Sequence, residues 1–148
     1  MIKIAPSILA ANLLDIKNEI INVDVAGAEY IHVDVMDGNF VNNLSFGHNM
    51  VKSIRPITKK ILDVHLMINS VESNINNYID AGSDIISFHA ENEKNPEKII
   101  EKIKINKCKA GIAVSPILEI KSIQNLLEII DTVIVMTVVP GFGGQKFL

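Results

Sequence analysis

Short β-branched runs alternate with helix-like segments along the chain, the runs are apolar on both faces, and several end in polar side chains. Together these observations predict an α/β fold of the TIM (βα)8 barrel kind, a parallel sheet with helices packed outside. The first run is Ile2–Ile8, followed by a helical stretch over Asp15–Val25 that carries Ile16, Ile20, Ile21 and Val23. Tyr30–Met36 is the second strand, and His48 falls in the loop beyond it, read as exposed. Ile61–Met67 is the third strand. The helix after it spans Val71–Ala81, with Val71, Ile75, Tyr78 and Ile79 at helical spacing. Ile85–His89 is the fourth strand, and Asn95-Pro96 starts the next helix, Asn as N-cap and Pro in the first turn. Ala110–Val114, a helix over Leu118–Ile130 and a sixth strand over Val133–Val138 complete the alternation.

An internal echo supports repeated units. Ala26-Gly27-Ala28-Glu29-Tyr30-Ile31 and Ala81-Gly82-Ser83-Asp84-Ile85-Ile86 both read as a helix end, a glycine C-cap and entry into a strand. A doubly wound sheet also fits strict alternation. The polar strand ends decide for the barrel, because barrel enzymes keep their chemistry where strands end. A full barrel needs eight strands and about 250 residues. Residues 1–148 are therefore read as a single barrel domain with about six βα units, truncated before strands seven and eight.

The chain has 148 residues, 48% of them hydrophobic, with a net charge of −3 and 5% aromatic residues. That balance argues against a nucleic-acid surface. The lysines between Lys94 and Lys109 are interleaved with glutamates and read as a solvated helix face. No apolar stretch approaches the roughly 20 residues that span a bilayer, and nothing resembles a signal peptide. Cys108 is the single cysteine, which fits a reducing cytoplasm.

Alternate side chains on a strand share a face. His32, Asp34 and Met36 therefore point one way, as do Asp63, His65 and Met67. Two imidazoles and a carboxylate, His32, Asp34 and His65, suit one divalent cation such as Zn, Fe, Mn or Co. The rival reading is a set of hydrogen-bonded core polar residues. Met36, Met67 and Met136 fall at strand ends and would form a soft apolar lining, with ordinary core filling as the alternative. Pro140-Gly141-Phe142-Gly143-Gly144-Gln145 follows the sixth strand, where glycines let backbone N–H groups approach a phosphate. His89 has no carboxylate at matching parity within its strand and reads as a supporting or structural histidine.

Pro6-Ser7-Ile8-Leu9-Ala10, Ile31–Gly38, Leu62–Met67 and Pro140–Gln145 together resemble the ribulose-phosphate 3-epimerase family, in order and from the first strand to the last residue. The resemblance implies a metal-dependent barrel that interconverts D-ribulose 5-phosphate and D-xylulose 5-phosphate. It puts His32, Asp34 and His65 at metal-ligand positions and Asp34 at a catalytic acid/base position. Ser7, His65 and the Gly141, Phe142, Gly143 and Gly144 loop fall at substrate positions. A sugar phosphate is the expected partner, without nucleic acid or membrane, and a homo-oligomer is compatible. The family's second carboxylate, in an aspartate-glycine-glycine segment on strand seven, has no counterpart here, so the 148-residue chain alone is expected to be inactive. Val139, Ser115 and Asn42 stand where the family usually has asparagine, asparagine and proline. An allulose 6-phosphate 3-epimerase and a non-catalytic fragment whose open strand edges pair with another chain are the alternatives.

Overall fold

The computed structural model describes residues 1–148 and forms strands where β-branched side chains cluster. They are β1 (Tyr30–Met36), β2 (Ile61–Met67), β3 (Ile85–Phe88), β4 (Lys109–Val114) and β5 (Thr132–Val135). All neighbours pair parallel in the order β1-β2-β3-β4-β5. This sequential order distinguishes a barrel wall from a doubly wound sheet, in which the order reverses at a switch point. Helices α1 (Ile16–Val25), α2 (His48–Ile54), α3 (Val71–Asp80) and α4 (Pro96–Ile105) lie between the strands in sequence. The architecture is a TIM-barrel-like α/β fold with five strands.

The core sits between the sheet's outer face and the helices. Ile31, Val33, Val35, Leu62, Val64, Leu66, Ile86, Phe88 and Ile112 meet Ile20, Val51, Ile54, Ile75, Ile99 and Ile103, all buried. Each such side chain contributes about 1.5–3 kcal/mol on burial. That packing holds the outer face and leaves the inner face free to carry polar residues. The lysine-rich segment agrees with its reading: α4 buries Ile99, Ile100 and Ile103 and turns its charges outward.

Several expectations are corrected. Ile2–Ile8 is not a strand. It runs beside β1, and the Tyr30 and His32 amides donate to the Ile4 and Pro6 carbonyls at 3.3 and 2.9 Å. Pairing is confined to one parallel bridge, between Ser7 and His32: Pro6 has no N–H, and the Ile4 N–H donates to the Glu29 carboxylate at 2.9 Å. The last strand stops at Val135 rather than Val138, since β5 has no ladder on its far side. The segment expected as a helix over Leu118–Ile130 is a 3₁₀ helix over Ile120–Leu126. It buries Ile123 and Leu126, whose three-residue spacing suits 3₁₀ geometry. His48 opens α2 instead of lying in a loop, and its ring meets Tyr78 edge-on at 6.0 Å. Ile21 in α1 is exposed, and the Asn95 side chain makes no capping bond although Pro96 does start α4.

Both echoed glycines have φ near +94°, the left-handed C-cap expected at Gly27 and Gly82. The acidic residue that follows two positions later ties strands together. Glu29, Asp84 and Asp131 each precede a strand, β1, β3 or β5. Their carboxylates accept the backbone N–H of Ile4, Leu62 and Ala110 at 2.9, 2.8 and 2.9 Å. Each side chain thereby fastens its strand to the preceding segment of the wall.

Gly111 lies where β3, β4 and β5 press together on the inner face, in register with Ser87 and Thr132. A Cβ at this position would fall 2.6 Å from Thr132 Cγ2 and closer still to Ser87 Oγ. Gly111→Ala is expected to cost about 1–3 kcal/mol by overpacking, read as a lower urea midpoint. An unchanged midpoint would show that Ser87 and Thr132 move aside freely.

Candidate active site and metal centre

The β1–β2 register builds the site. His32 stands opposite Asp63, Asp34 opposite His65 and Met36 opposite Met67. Acid and imidazole thus alternate along each strand and across the pair. His32 Nδ1 lies 2.7 Å from Asp63 Oδ2, and its Nε2 lies 3.3 Å from Asp34 Oδ1. His65 Nδ1 is 3.1 Å from the same Asp34 oxygen. One ligand atom from each of His32, Asp34 and His65 falls within 4.8 Å of the others. Two imidazoles and a carboxylate converging this way fit a first-row divalent cation.

The other Asp34 oxygen faces away from the rings. The Ser7 hydroxyl donates to Asp34 Oδ2 at 2.6 Å and accepts from the Leu9 N–H at 3.2 Å. Ser45 pins the strand behind: its hydroxyl donates to the Asp34 carbonyl at 2.6 Å and accepts the Met36 N–H at 3.0 Å. Asp37 accepts the N–H groups of Asn39, Phe40 and Asn69, joining the loops beyond β1 and β2.

Asp34 opens onto a cleft of about 470 Å³ with Met36, Met67 and Met136 on its walls and Ser7 and Gly141–Gly144 at its rim. That size suits a small molecule. The three methionines are therefore brought together, as are Ser7 and the glycine loop. Asn43 Nδ2 donates to the Gly141 carbonyl at 2.7 Å. Gln145 Nε2 donates to the carbonyls of Val139 and Phe142 at 2.7 and 2.8 Å, closing the loop on itself. Gly141 has φ +126°, and Val41 fills the space beside it, so the position needs glycine. Phe142 is exposed.

Burial opposes charge on His32, yet hydrogen bonds to Asp34 and Asp63 outweigh it and hold the imidazole up to about 10. Burial would likewise raise Asp34, but bonds from His32, His65 and Ser7 hold it well below the usual carboxylate range. Burial pushes His65 down, against its bond to Asp34, and the neighbouring His89 and His32 rings add to the effect. In the absence of a metal, a proton on His32 thus supplies the positive charge that the carboxylates demand.

Sequence reasoning missed two partners. Asp63 shares the parity of His65, but its bond to His32 depends on strand register, which no single sequence encodes openly. Glu91 keeps the parity of His89 in a 3₁₀ turn beyond the strand, with Oε1 3.2 Å from His89 Nδ1.

The fold and these donors define an α/β barrel-type protein in which His32, Asp34 and His65 form a group that could hold a metal ion, toward the strand ends where barrel enzymes carry their chemistry. The Ribulose-phosphate 3 epimerase family profile matches residues 3–148. The chain belongs to this family of isomerases. It is 45% identical to a ribulose-phosphate 3-epimerase of Bacillus subtilis, over 100% of this chain and 68% of that protein. A Rhodobacter capsulatus ribulose-phosphate 3-epimerase is 44% identical over 99% of this chain and 64% of its own length. The chloroplastic enzyme of Arabidopsis thaliana is 41% identical over 98% and 52%. The chain thus spans roughly half to two thirds of these relatives' lengths. A solved Yersinia pestis DHPS with a pterine-sulfa conjugate matches with TM-score 0.59 at 12% identity, over 85% of this chain and 50% of that one, a likeness of fold alone.

A raised histidine pKa stabilises the fold fully below its unfolded value near 6.5 and loses that contribution as pH rises through about 10. A depressed aspartate contributes above about pH 4 and loses its contribution on acidification. His65, held below its ordinary value, acts the other way and withdraws stability as pH falls below about 6.5, so the metal-free chain is expected to be most stable near pH 6.5. Its urea midpoint should fall as pH climbs toward 10, and His32→Gln should flatten that decline. A wild-type midpoint constant from pH 6.5 to 10 would contradict the pairing.

Proposed function

We propose that this chain carries the metal-binding and proton-transfer part of a ribulose-phosphate 3-epimerase site, acting on C3 of D-ribulose 5-phosphate to give D-xylulose 5-phosphate. The observation that carries the reading is the convergence of His32, Asp34 and His65 on one point beside a methionine-lined cleft. Family membership supports the substrate.

The chemistry requires removal of a weakly acidic proton next to a carbonyl and its return on the opposite face. His32, Asp34 and His65 would hold the divalent cation, which when bound stabilises negative charge developing on the substrate oxygens. The two oxygens of Asp34 divide the work, since Oδ1 meets the two rings while Oδ2 accepts from Ser7, which also lines the cleft. Oδ2 is the atom proposed to take the C3 proton, with the Ser7 hydroxyl orienting it. The methionines exclude water while offering no proton of their own. The Gly141–Gly144 loop would receive the phosphate through backbone N–H groups.

Loading the cation must displace the proton that His32 shares with Asp34. Zinc binding at pH 7 is therefore expected to release about one proton from this residue, read by calorimetry in buffers of different ionisation enthalpy. Buffer-independent heats would contradict this placement of the proton.

Asp34 is the only carboxylate lining the cleft. Inversion needs a second acid on the opposite face, so the 148-residue chain alone is expected to bind D-ribulose 5-phosphate with zinc but not to invert it. Binding titrations, together with solvent deuterium at C3, test both halves. No cation-dependent binding would overturn the functional reading, and inversion would show that some other group returns the proton. Tighter binding of allulose 6-phosphate would move the proposal to the six-carbon sugar.

A further inference from the structure

Behind the cleft, a chain of four side chains runs from Asp34 into the protein. His65 Nδ1 lies 3.1 Å from Asp34 Oδ1, His65 Nε2 lies 3.0 Å from His89 Nε2, and His89 Nδ1 lies 3.2 Å from Glu91 Oε1. His65 and His89 are each 2% exposed, and the Phe40 ring covers His89 at 4.8 Å. Both imidazoles are therefore fixed in place.

Proton counting makes this arrangement informative. Two neutral imidazoles bring two N–H hydrogens to three junctions. One junction must hold two facing lone pairs, and it falls beside Glu91, between the rings or beside Asp34 according to the two tautomers. A cation on His65 Nδ1 selects the last of these: His65 then carries its hydrogen on Nε2 and donates to His89 Nε2, and His89 Nδ1–H donates to Glu91. A bare nitrogen and a carboxylate oxygen at 3.1 Å repel each other unless a cation lies between them.

We infer that Glu91 and His89 are positioning residues that set the tautomer of His65, presenting Nδ1 as a lone pair beside Asp34 for a divalent cation. Asp63 serves His32 in the same way by direct contact at 2.7 Å, turning Nε2 toward Asp34. One ligand histidine is thus backed by a carboxylate directly, the other through an interposed imidazole. The inference rests on the reading of His32, Asp34 and His65 as cation ligands.

The test uses the 148-residue chain, zinc with a competing chromophoric chelator, and nitrogen-15 NMR of the histidine rings without metal. His89→Phe keeps the ring packing but cannot accept a hydrogen bond, and Glu91→Leu removes the outer carboxylate. Both are expected to weaken zinc binding roughly 10- to 100-fold. His89→Gln, whose carbonyl can accept from His65 Nε2–H, should recover most of the loss. In the metal-free chain, Glu91→Leu should raise the share of His65 protonated on Nδ1, because Asp34 then has no competitor. If His89→Phe does not fold, Glu91→Leu, at a partly exposed side chain, still decides. Unchanged zinc affinity and an unchanged tautomer in Glu91→Leu would overturn the inference. A parent chain that binds no zinc would instead overturn the cation reading, while the tautomer shift, measured without metal, would still uphold the relay.

Discussion

Everything at the site depends on how β1 and β2 are aligned. His32 meets Asp63, and Asp34 meets His65, so every inward acid on one strand faces an imidazole on the other. A slip of two residues would preserve which side chains point inward and leave the aliphatic outer face intact. It would also set Asp34 against Asp63 or His32 against His65, placing like groups together where water is scarce. Hydrophobic burial specifies the face. The polar pairs specify the position along it, and so bring the ligand atoms to one point.

The two ends of the strands are built for different purposes. At their N-terminal ends, the Arg55 guanidinium donates to the carbonyls of Thr58 and Lys60 at 2.6 and 2.9 Å and to Asp84 at 2.7 Å. Its charge and donors are consumed in holding backbone. At the C-terminal ends lie Asp34, the methionines and the glycine loop, with space between them. This division matches the separation of stability and chemistry in barrel enzymes.

Much of this was legible from residue order. Period-two alternation placed His32 and Asp34 on one face and His65 on a matching one, and the glycines after α1 and α3 marked those helix ends at Gly27 and Gly82. What remained hidden depends on contacts between distant segments. The β-branched run Ile2–Ile8 looks like a strand, but Pro6 and the Glu29 bond to Ile4 cut its pairing to a single bridge between Ser7 and His32. The short α2 has too few apolar positions to announce itself by period. Asp63 and Glu91 could be recognised as partners only once register and the turn after β3 were known. The 3₁₀ helix over Ile120–Leu126 was obscured because three- and four-residue spacings share the same first contacts.

The carboxylates of Glu29, Asp84 and Asp131 fasten β1, β3 and β5, while Lys60 and Cys108 stand before β2 and β4. The smallest repeating module of this wall is therefore a pair of strands with their helices, not one strand and one helix. Barrel interiors are also layered from alternate strands, so the fastening and the filling share one rhythm. A graft, duplication or circular rearrangement that respects this doubling would keep every fastening intact. One that moves an odd number of strands would leave backbone amides at its seam without their acceptor.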